Sequence, residues 1–334
     1  MASHDHSVAE HEESLQREDS SDGHRNMILV ICIYIAKQPT EVSFGSLKYN
    51  RKNRRSADSK SSNVIGSAYL EINNKRVDLV RKYCADHASE FKKIYPDYNS
   101  LSSGVVNYVW MLSPHHQLFY CATPKCASTT WKSYLMEDQG IEINADTHIA
   151  AMKLSIRKQL SLRRPPYQHL TLLQFIDAAN RMVIVRNPWA RLVSFFQNKV
   201  TNSHWPLKKI CIAYSKYPEN ITVTFEVFID CLTESSRRRL WNIHIHPLTT
   251  LCAFCQMDYN IIVKMEELAE GEKFIKAKLN ISDANIKYSP PRKGKYSNTY
   301  ASYYKNISDE HIQQLQDIYG LDIELFGYPS SPFK

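Results

Sequence analysis

Two strand-to-helix junctions, about sixty residues apart, constrain this 334-residue chain more than any other feature. The first runs from Leu118 through Phe119, Tyr120 and Cys121 to Thr123-Pro124-Lys125-Cys126-Ala127-Ser128-Thr129-Thr130, then resumes as an amphipathic pattern at Trp131-Lys132. The second is a β-branched run, Met182 to Val185, that ends in Arg186-Asn187-Pro188 and continues as Trp189-Ala190-Arg191-Leu192-Val193-Ser194. A helix N-terminus offers unpaired N–H groups and the positive end of the macrodipole, so a tight polar loop entering a helix is built to hold an anion. Together the junctions describe a site for a nucleotide that carries phosphates at two separate positions.

The side chains fit that reading. Lys125 brings a mobile point charge, and Ser128, Thr129 and Thr130 bring hydroxyl donors, although Thr129 or Thr130 can equally serve only as the N-cap. Arg186 supplies a planar fork matched to phosphate, and Ser194 lies about two turns into the next helix, where its hydroxyl can complete the grip. A nucleoside-triphosphate enzyme would need Gly-x-x-x-x-Gly-Lys-Ser/Thr and a metal-binding acid, and this loop has neither glycine.

The motifs resemble those of the Golgi carbohydrate sulfotransferases, specifically the chondroitin and dermatan 4-O-sulfotransferase family. Pro124, Lys125, Ala127, Thr129, Trp131 and Lys132 stand in register with that family's first motif. Val185, Arg186, Pro188, Arg191, Leu192, Val193 and Ser194 match the second. Asn242 to Pro247, with His244, then Leu251-Cys252-Ala253-Phe254-Cys255, Tyr259 and Lys264 resemble the third; Tyr303-Tyr304 through Ile318-Tyr319 to Tyr328 resembles the C-terminal end. The likeness covers about residues 75 to 330.

The resemblance implies an α/β fold: a single domain with a central parallel sheet flanked by helices, a P-loop-like sulfotransferase fold. It implies 3′-phosphoadenosine 5′-phosphosulfate (PAPS) as donor, no metal, and a glycan acceptor, with a glycosaminoglycan such as chondroitin GalNAc at the 4-hydroxyl preferred. Pro124, Lys125, Cys126, Ala127, Ser128, Thr129, Thr130, Arg186 and Ser194 are then the donor-binding set, with Lys125 also catalytic. His244 is the first choice for general base, because an imidazole titrates near neutrality. His169 is the runner-up, followed by Glu266 or Glu267.

Departures from the family pattern are Ser128 for cysteine, Thr130 for asparagine, Asn187 for an acid, Ala190 for glutamate and Ile245 for tryptophan. Without that glutamate, Arg191 is expected to lack its local partner. Thr130, Ala190 and Ile245 also motivate a second reading, a non-catalytic paralogue that binds an anionic glycan or PAPS.

Charge separates the N-terminal tail from the rest. Residues 1–26 hold seven acids and two Lys/Arg, a net −5, so with +8 for the whole chain the remainder carries +13. Such a basic body suits nucleic acid, an anionic membrane or an acidic substrate. No helix-turn-helix, usual zinc-finger spacing or RNA-binding aromatic motif is present, which disfavours nucleic acid. Arg163-Arg164, Lys208-Lys209, Arg237-Arg238-Arg239 and Arg292-Lys293-Lys295 are candidate acceptor-groove clusters.

Eight cysteines and the sequons at Asn220, Asn280 and Asn306 fit a secretory-pathway lumen, with the Golgi lumen expected. Cys252-x-x-Cys255 suits a disulfide, to each other or elsewhere; with His244 and His246 it also admits a tetrahedral zinc site. Met27 to Ala36 is too short to span a membrane and resembles the apolar core of a signal peptide, which leaves the mode of attachment open. The expected organisation is an acidic tail or extension (1–26), a signal-like segment (27–36), a polar stem (37–75) and a sulfotransferase domain (76–330). Its first helix starts at Arg76, with Val77, Val80, Cys84, Ala88 and Phe91 on one face. Two short strands flank Ser113-Pro114-His115-His116, helices cover Leu172–Ala179 and Asp309–Tyr319, and strands cover Met182–Arg186 and Ile261–Lys264.

Overall fold

A computed structural model describes residues 59–89, 109–138, 140, 176–201, 222–234, 243–282 and 298–333, with side chains from residue 68 and, in the last stretch, from residue 300. The stretches 1–58, 90–108, 141–175, 202–221, 235–242 and 283–297 and residues 139 and 334 lie outside it, and with them Met27–Ala36, His169, Asn220 and the four basic clusters.

At the centre is a four-stranded sheet, β1 (Trp110–Ser113), β2 (Leu118–Cys121), β3 (Asn180–Val185) and β4 (Ile261–Lys264), in that spatial order. The pairs β2–β3 and β3–β4 are parallel, with Tyr120 opposite Met182 and Val183 opposite Ile262. β1 runs antiparallel to β2, so the expected parallel sheet is mixed. The reason is local: only a 3-10 turn over Pro114–His116 and Gln117, with φ 46°, separate the two strands, and so short a link can form only a hairpin. β2 and the last four residues of β3 are buried throughout, which is why both read as unbroken apolar runs.

Helix α1 (Ser59–Asp86) begins seventeen residues before the expected Arg76. The polar stretch ahead of Arg76 is helical because its few inward-facing residues have partners. Tyr69 packs on Phe274, and Asn73, fully buried, donates from Nδ2 to the Asn260 carbonyl (3.0 Å) while its Oδ1 accepts from Ile262 N–H (2.8 Å). This amide therefore covers the open edge of β4, where an unpaired strand would otherwise present free backbone groups. Val77 and Val80 are buried and Cys84 packs beside them, as expected; Ala88 is exposed beyond the helix end, and Phe91 lies outside the described residues.

Further along come α2 (Ser128–Asp138), α3 (Pro188–Phe195), α4 (Phe225–Thr233), α5 (Leu248–Cys252), α6 (Phe254–Met257), α7 (Leu268–Leu279) and α8 (Asp309–Leu325). A 3-10 turn over Met265–Glu267 follows β4, and another spans Asn298–Tyr304. Of the expected helix at 172–179, residues 176–178 are described and helical. One apolar cluster surrounds the sheet; a second, rich in aromatics, joins α3, α4 and α8 through Trp189, Phe195, Phe225, Phe228, Leu315 and Tyr319.

Cys84–Cys255 and Cys121–Cys252 are disulfides that tie these parts together, and Cys231 is disulfide-bonded as well. They correct the zinc reading of Cys252-x-x-Cys255. Each cysteine is bonded to a distant one, so neither thiolate is available to a metal. Residue 253 between them adopts a left-handed φ of 48°, which ends α5 and starts α6.

Candidate active site

Strands β2 and β3 are parallel neighbours, so both junctions emerge at the same, C-terminal edge of the sheet, where open α/β sheets bind ligands. The loop between β2 and α2 is fastened below by Thr123, whose buried hydroxyl donates to the Ile184 carbonyl (2.6 Å). Cys126 N–H closes a turn onto the Thr123 carbonyl (3.3 Å). Lys125 and Ala127 adopt left-handed φ values of 67° and 56°, so the loop turns twice through conformations that normally favour glycine.

Helix α2 begins at Ser128, which removes Thr129 and Thr130 from the N-cap position. They occupy the first turn instead, partly exposed, where they can face a bound anion. Pro124, Cys126 and Ser128 are buried, while Lys125 and Ala127 are partly open. Burial pushes the Cys126 thiol up from its ordinary range, with Arg191, Thr123 and Arg186 opposing that effect.

The second junction closes onto the first. Arg186 Nη1 donates to the Lys125 carbonyl (3.0 Å), and Lys125 Nζ donates to Asn198 Oδ1. Asn198 sits on a π-helical turn, Phe196–Val200, that extends α3. Single π turns recur at functional sites, but their register shift leaves no signature in a sequence, and Asn198 escaped notice for that reason. Ser194 lies on α3, partly exposed, two turns after Arg186 as expected.

Asn187 serves as the N-cap of α3: its Oδ1 accepts from Trp189 N–H (2.9 Å) and Ala190 N–H (3.4 Å). An amide thus does the capping that the family's acid could do. Its own N–H donates to Glu266 Oε1 (2.9 Å), and Tyr328 donates its hydroxyl to Glu266 Oε2 (3.1 Å). Glu266 is therefore at this edge, whereas Glu267 turns away into a bidentate pair with Arg76 (2.6 and 2.7 Å). Between the two carboxylates, only Glu266 keeps a place in the site.

Arg191 corrects the expectation of an unpartnered cation. It is 1% exposed and donates to the carbonyls of His244 (3.2 Å) and His246 (2.5 Å), with its guanidinium over the Tyr319 ring. The absent glutamate is replaced by backbone oxygens from the third motif. This grip brings His244 against α3, its ring 5.8 Å from that of Phe195, next to Ser194 in sequence. Ile245 is 1% exposed and belongs to the second apolar cluster, so the tryptophan-to-isoleucine departure is a packing change.

One group of metal-type ligands occurs among the described residues, His115, His116 and Asp138. Asp138 ends α2 while the β2–α2 loop precedes its start, roughly 15 Å away at 1.5 Å per residue, so the group is not part of this site.

A tight polar loop entering a helix and an arginine at a second strand end, on adjacent parallel strands of an α/β sheet, are the frame of a group-transfer enzyme. The sulfotransferase family profile matches residues 109–329, and the chain belongs to that family, as an O-sulfotransferase. It is similar to carbohydrate sulfotransferase 11 of Rattus norvegicus, with 26% identity over 82% of this chain and 83% of that protein. Carbohydrate sulfotransferase 12 of Mus musculus is 24% identical over 76% of this chain and 68% of its own length. Carbohydrate sulfotransferase 10 of Rattus norvegicus is 27% identical over 79% and 77%. No solved structure matches the chain significantly.

Proposed function

We propose that this enzyme moves the sulfuryl group of PAPS to a hydroxyl of a glycan, with the 4-hydroxyl of GalNAc in chondroitin as the preferred acceptor. The observation that carries the reading is the Arg186–Lys125 hydrogen bond, which unites the two anion-binding junctions in one site. The similar proteins named carbohydrate sulfotransferases support a glycan as acceptor. The likeness of the motifs to the 4-O family supports the position.

In this mechanism the α2 loop, its N–H groups and Lys125 take the 5′-phosphosulfate, while Arg186 and Ser194 take the 3′-phosphate. The acceptor oxygen forms a bond to sulfur as the sulfur–oxygen bond to the 5′-phosphate breaks, leaving 3′-phosphoadenosine 5′-phosphate. His244 accepts the proton of the attacking hydroxyl, and Lys125 with the loop amides offsets charge on the leaving phosphate. Positioning and electrostatics supply most of the rate, as in phosphoryl transfer.

The Golgi lumen is the proposed compartment. Two disulfides and the exposed sequon residues Asn280 and Asn306 support it. Among the described residues no helix is long and apolar enough to cross a membrane.

The test is incubation of the purified chain with sulfur-labelled PAPS and desulfated chondroitin, dermatan, heparan and N-glycan acceptors. Label on chondroitin GalNAc establishes donor and acceptor together, and label on another glycan corrects the acceptor alone. Binding of 3′-phosphoadenosine 5′-phosphate without transfer to any glycan refutes the proposed reaction and leaves a donor-binding protein.

A further inference from the structure

Lys132 is the one strongly buried lysine of the described residues whose charge has no use in the site as built so far. It is 7% exposed, and among the described residues no hydrogen-bond acceptor or carboxylate reaches its ammonium. Other enclosed lysines are provided for. Lys276 pairs with Glu272 at 2.6 Å and covers the Tyr134 ring, and Lys264 lies over Tyr328. Burial alone lowers the Lys132 ammonium from 10.5 to about 8. An isolated buried charge is costly, so a lysine is kept in such a place when something else supplies the counter-charge.

Its position says what that is. Lys132 and Ser128 are one helical turn apart, both buried, on α2. In an α-helix the Cα–Cβ bonds tilt toward the N-terminus, so a long side chain lies over the preceding turn. The stem of Lys132 therefore runs back along Ser128 toward the loop that opens the helix, over about one 5.4 Å turn.

We propose that Lys132 is a second cation of the donor site, its ammonium contacting the 5′-phosphosulfate alongside the first turn of α2. The inference rests on the PAPS reading above. Lys125 then grips the group from the exposed side of the loop and Lys132 from the enclosed side. When the donor is absent the enclosed cation has no counter-charge among the described residues; when the donor arrives, the group gains both a partner and a firmly held proton.

The experiment is titration calorimetry on the full chain with two ligands. One is 3′-phosphoadenosine 5′-phosphate; the other, adenosine 3′-monophosphate, lacks the 5′ group. Lys132→Met is expected to weaken the bisphosphate by about 10- to 100-fold, the loss of one charge-assisted contact, and to leave the monophosphate within about twofold. In paired buffers of different ionisation heat at pH 8, the wild type should take up about half a proton more than the variant on binding the bisphosphate. Arg186→Ala serves as the contrast and should weaken both ligands.

Equal bisphosphate affinity and equal proton uptake in wild type and Lys132→Met would overturn the assignment. A wild type that binds neither ligand would instead overturn the donor reading. If the methionine variant fails to fold, as a melting curve would reveal, Lys132→Gln takes its place, with the same outcomes expected.

Discussion

Lys132 and His244 show how much a single side chain depends on what surrounds it. Because the folded protein holds the Lys132 ammonium near 8 against 10.5 in the open chain, the unfolded state binds more protons between those values. Stability of the ligand-free enzyme should thus rise as pH goes from about 8 to about 10, and urea melts of wild type against Lys132→Met should isolate that slope. Below pH 8 the penalty is complete, so the methionine variant should be more stable there, by on the order of 3 kcal/mol. His244 carries a different prediction. His244→Ala should lower kcat by about 100-fold or more and leave the affinity for 3′-phosphoadenosine 5′-phosphate unchanged. If activity survives that change but falls in Glu266→Gln, the carboxylate that Asn187 and Tyr328 hold is the base.

Among elements, α3 is the joint between the two anion motifs and the segment that bears His244. Arg191 forms that joint from within, with its fork on two carbonyls and its charge near the buried Asp322. Asp322 in turn accepts the Leu248 and Thr249 N–H groups (2.7 and 2.8 Å), so α8 caps the start of α5. Truncation at Arg191 would leave carbonyls and a carboxylate enclosed without their cation. Arg191→Ala should cost about 3–5 kcal/mol in chemical denaturation. Lysine should fail to restore it, because one ammonium cannot span two carbonyls in the manner of a planar fork. Sequence reasoning placed β2, β3, β4 and the start of α8 well, since each is an unbroken apolar run or a capped helix with Ser308 at its head. It misplaced the start of α1 because the residues there are polar and their helix is held by distant partners, Asn260 and Ile262.

At the scale of the whole molecule, two disulfides whose cysteines both lie among the described residues join α1 to α6 and β2 to α5 across 171 and 131 residues of chain. Cys121 lies just before the β2–α2 loop, so its bond also holds the root of the proposed donor site. Replacing Cys121 and Cys252 by alanine together should lower stability by about 2–5 kcal/mol and raise the KM for PAPS, measured by thermal melting and steady-state kinetics. The local chemistry of the site was written in the order of the residues: strand, proline, lysine, hydroxyls and helix, then strand, arginine, proline and helix. Such patterns act over a few residues through backbone geometry and charge, and the chain alone determines them. Which cysteine meets which, that Asn198 answers Lys125, that Glu266 and not Glu267 faces the loop, and that Arg191 holds the third motif were settled only by tertiary packing. Those contacts join residues from 53 to 171 positions apart, or depend on a one-residue shift in a helix, and local preference carries no record of either.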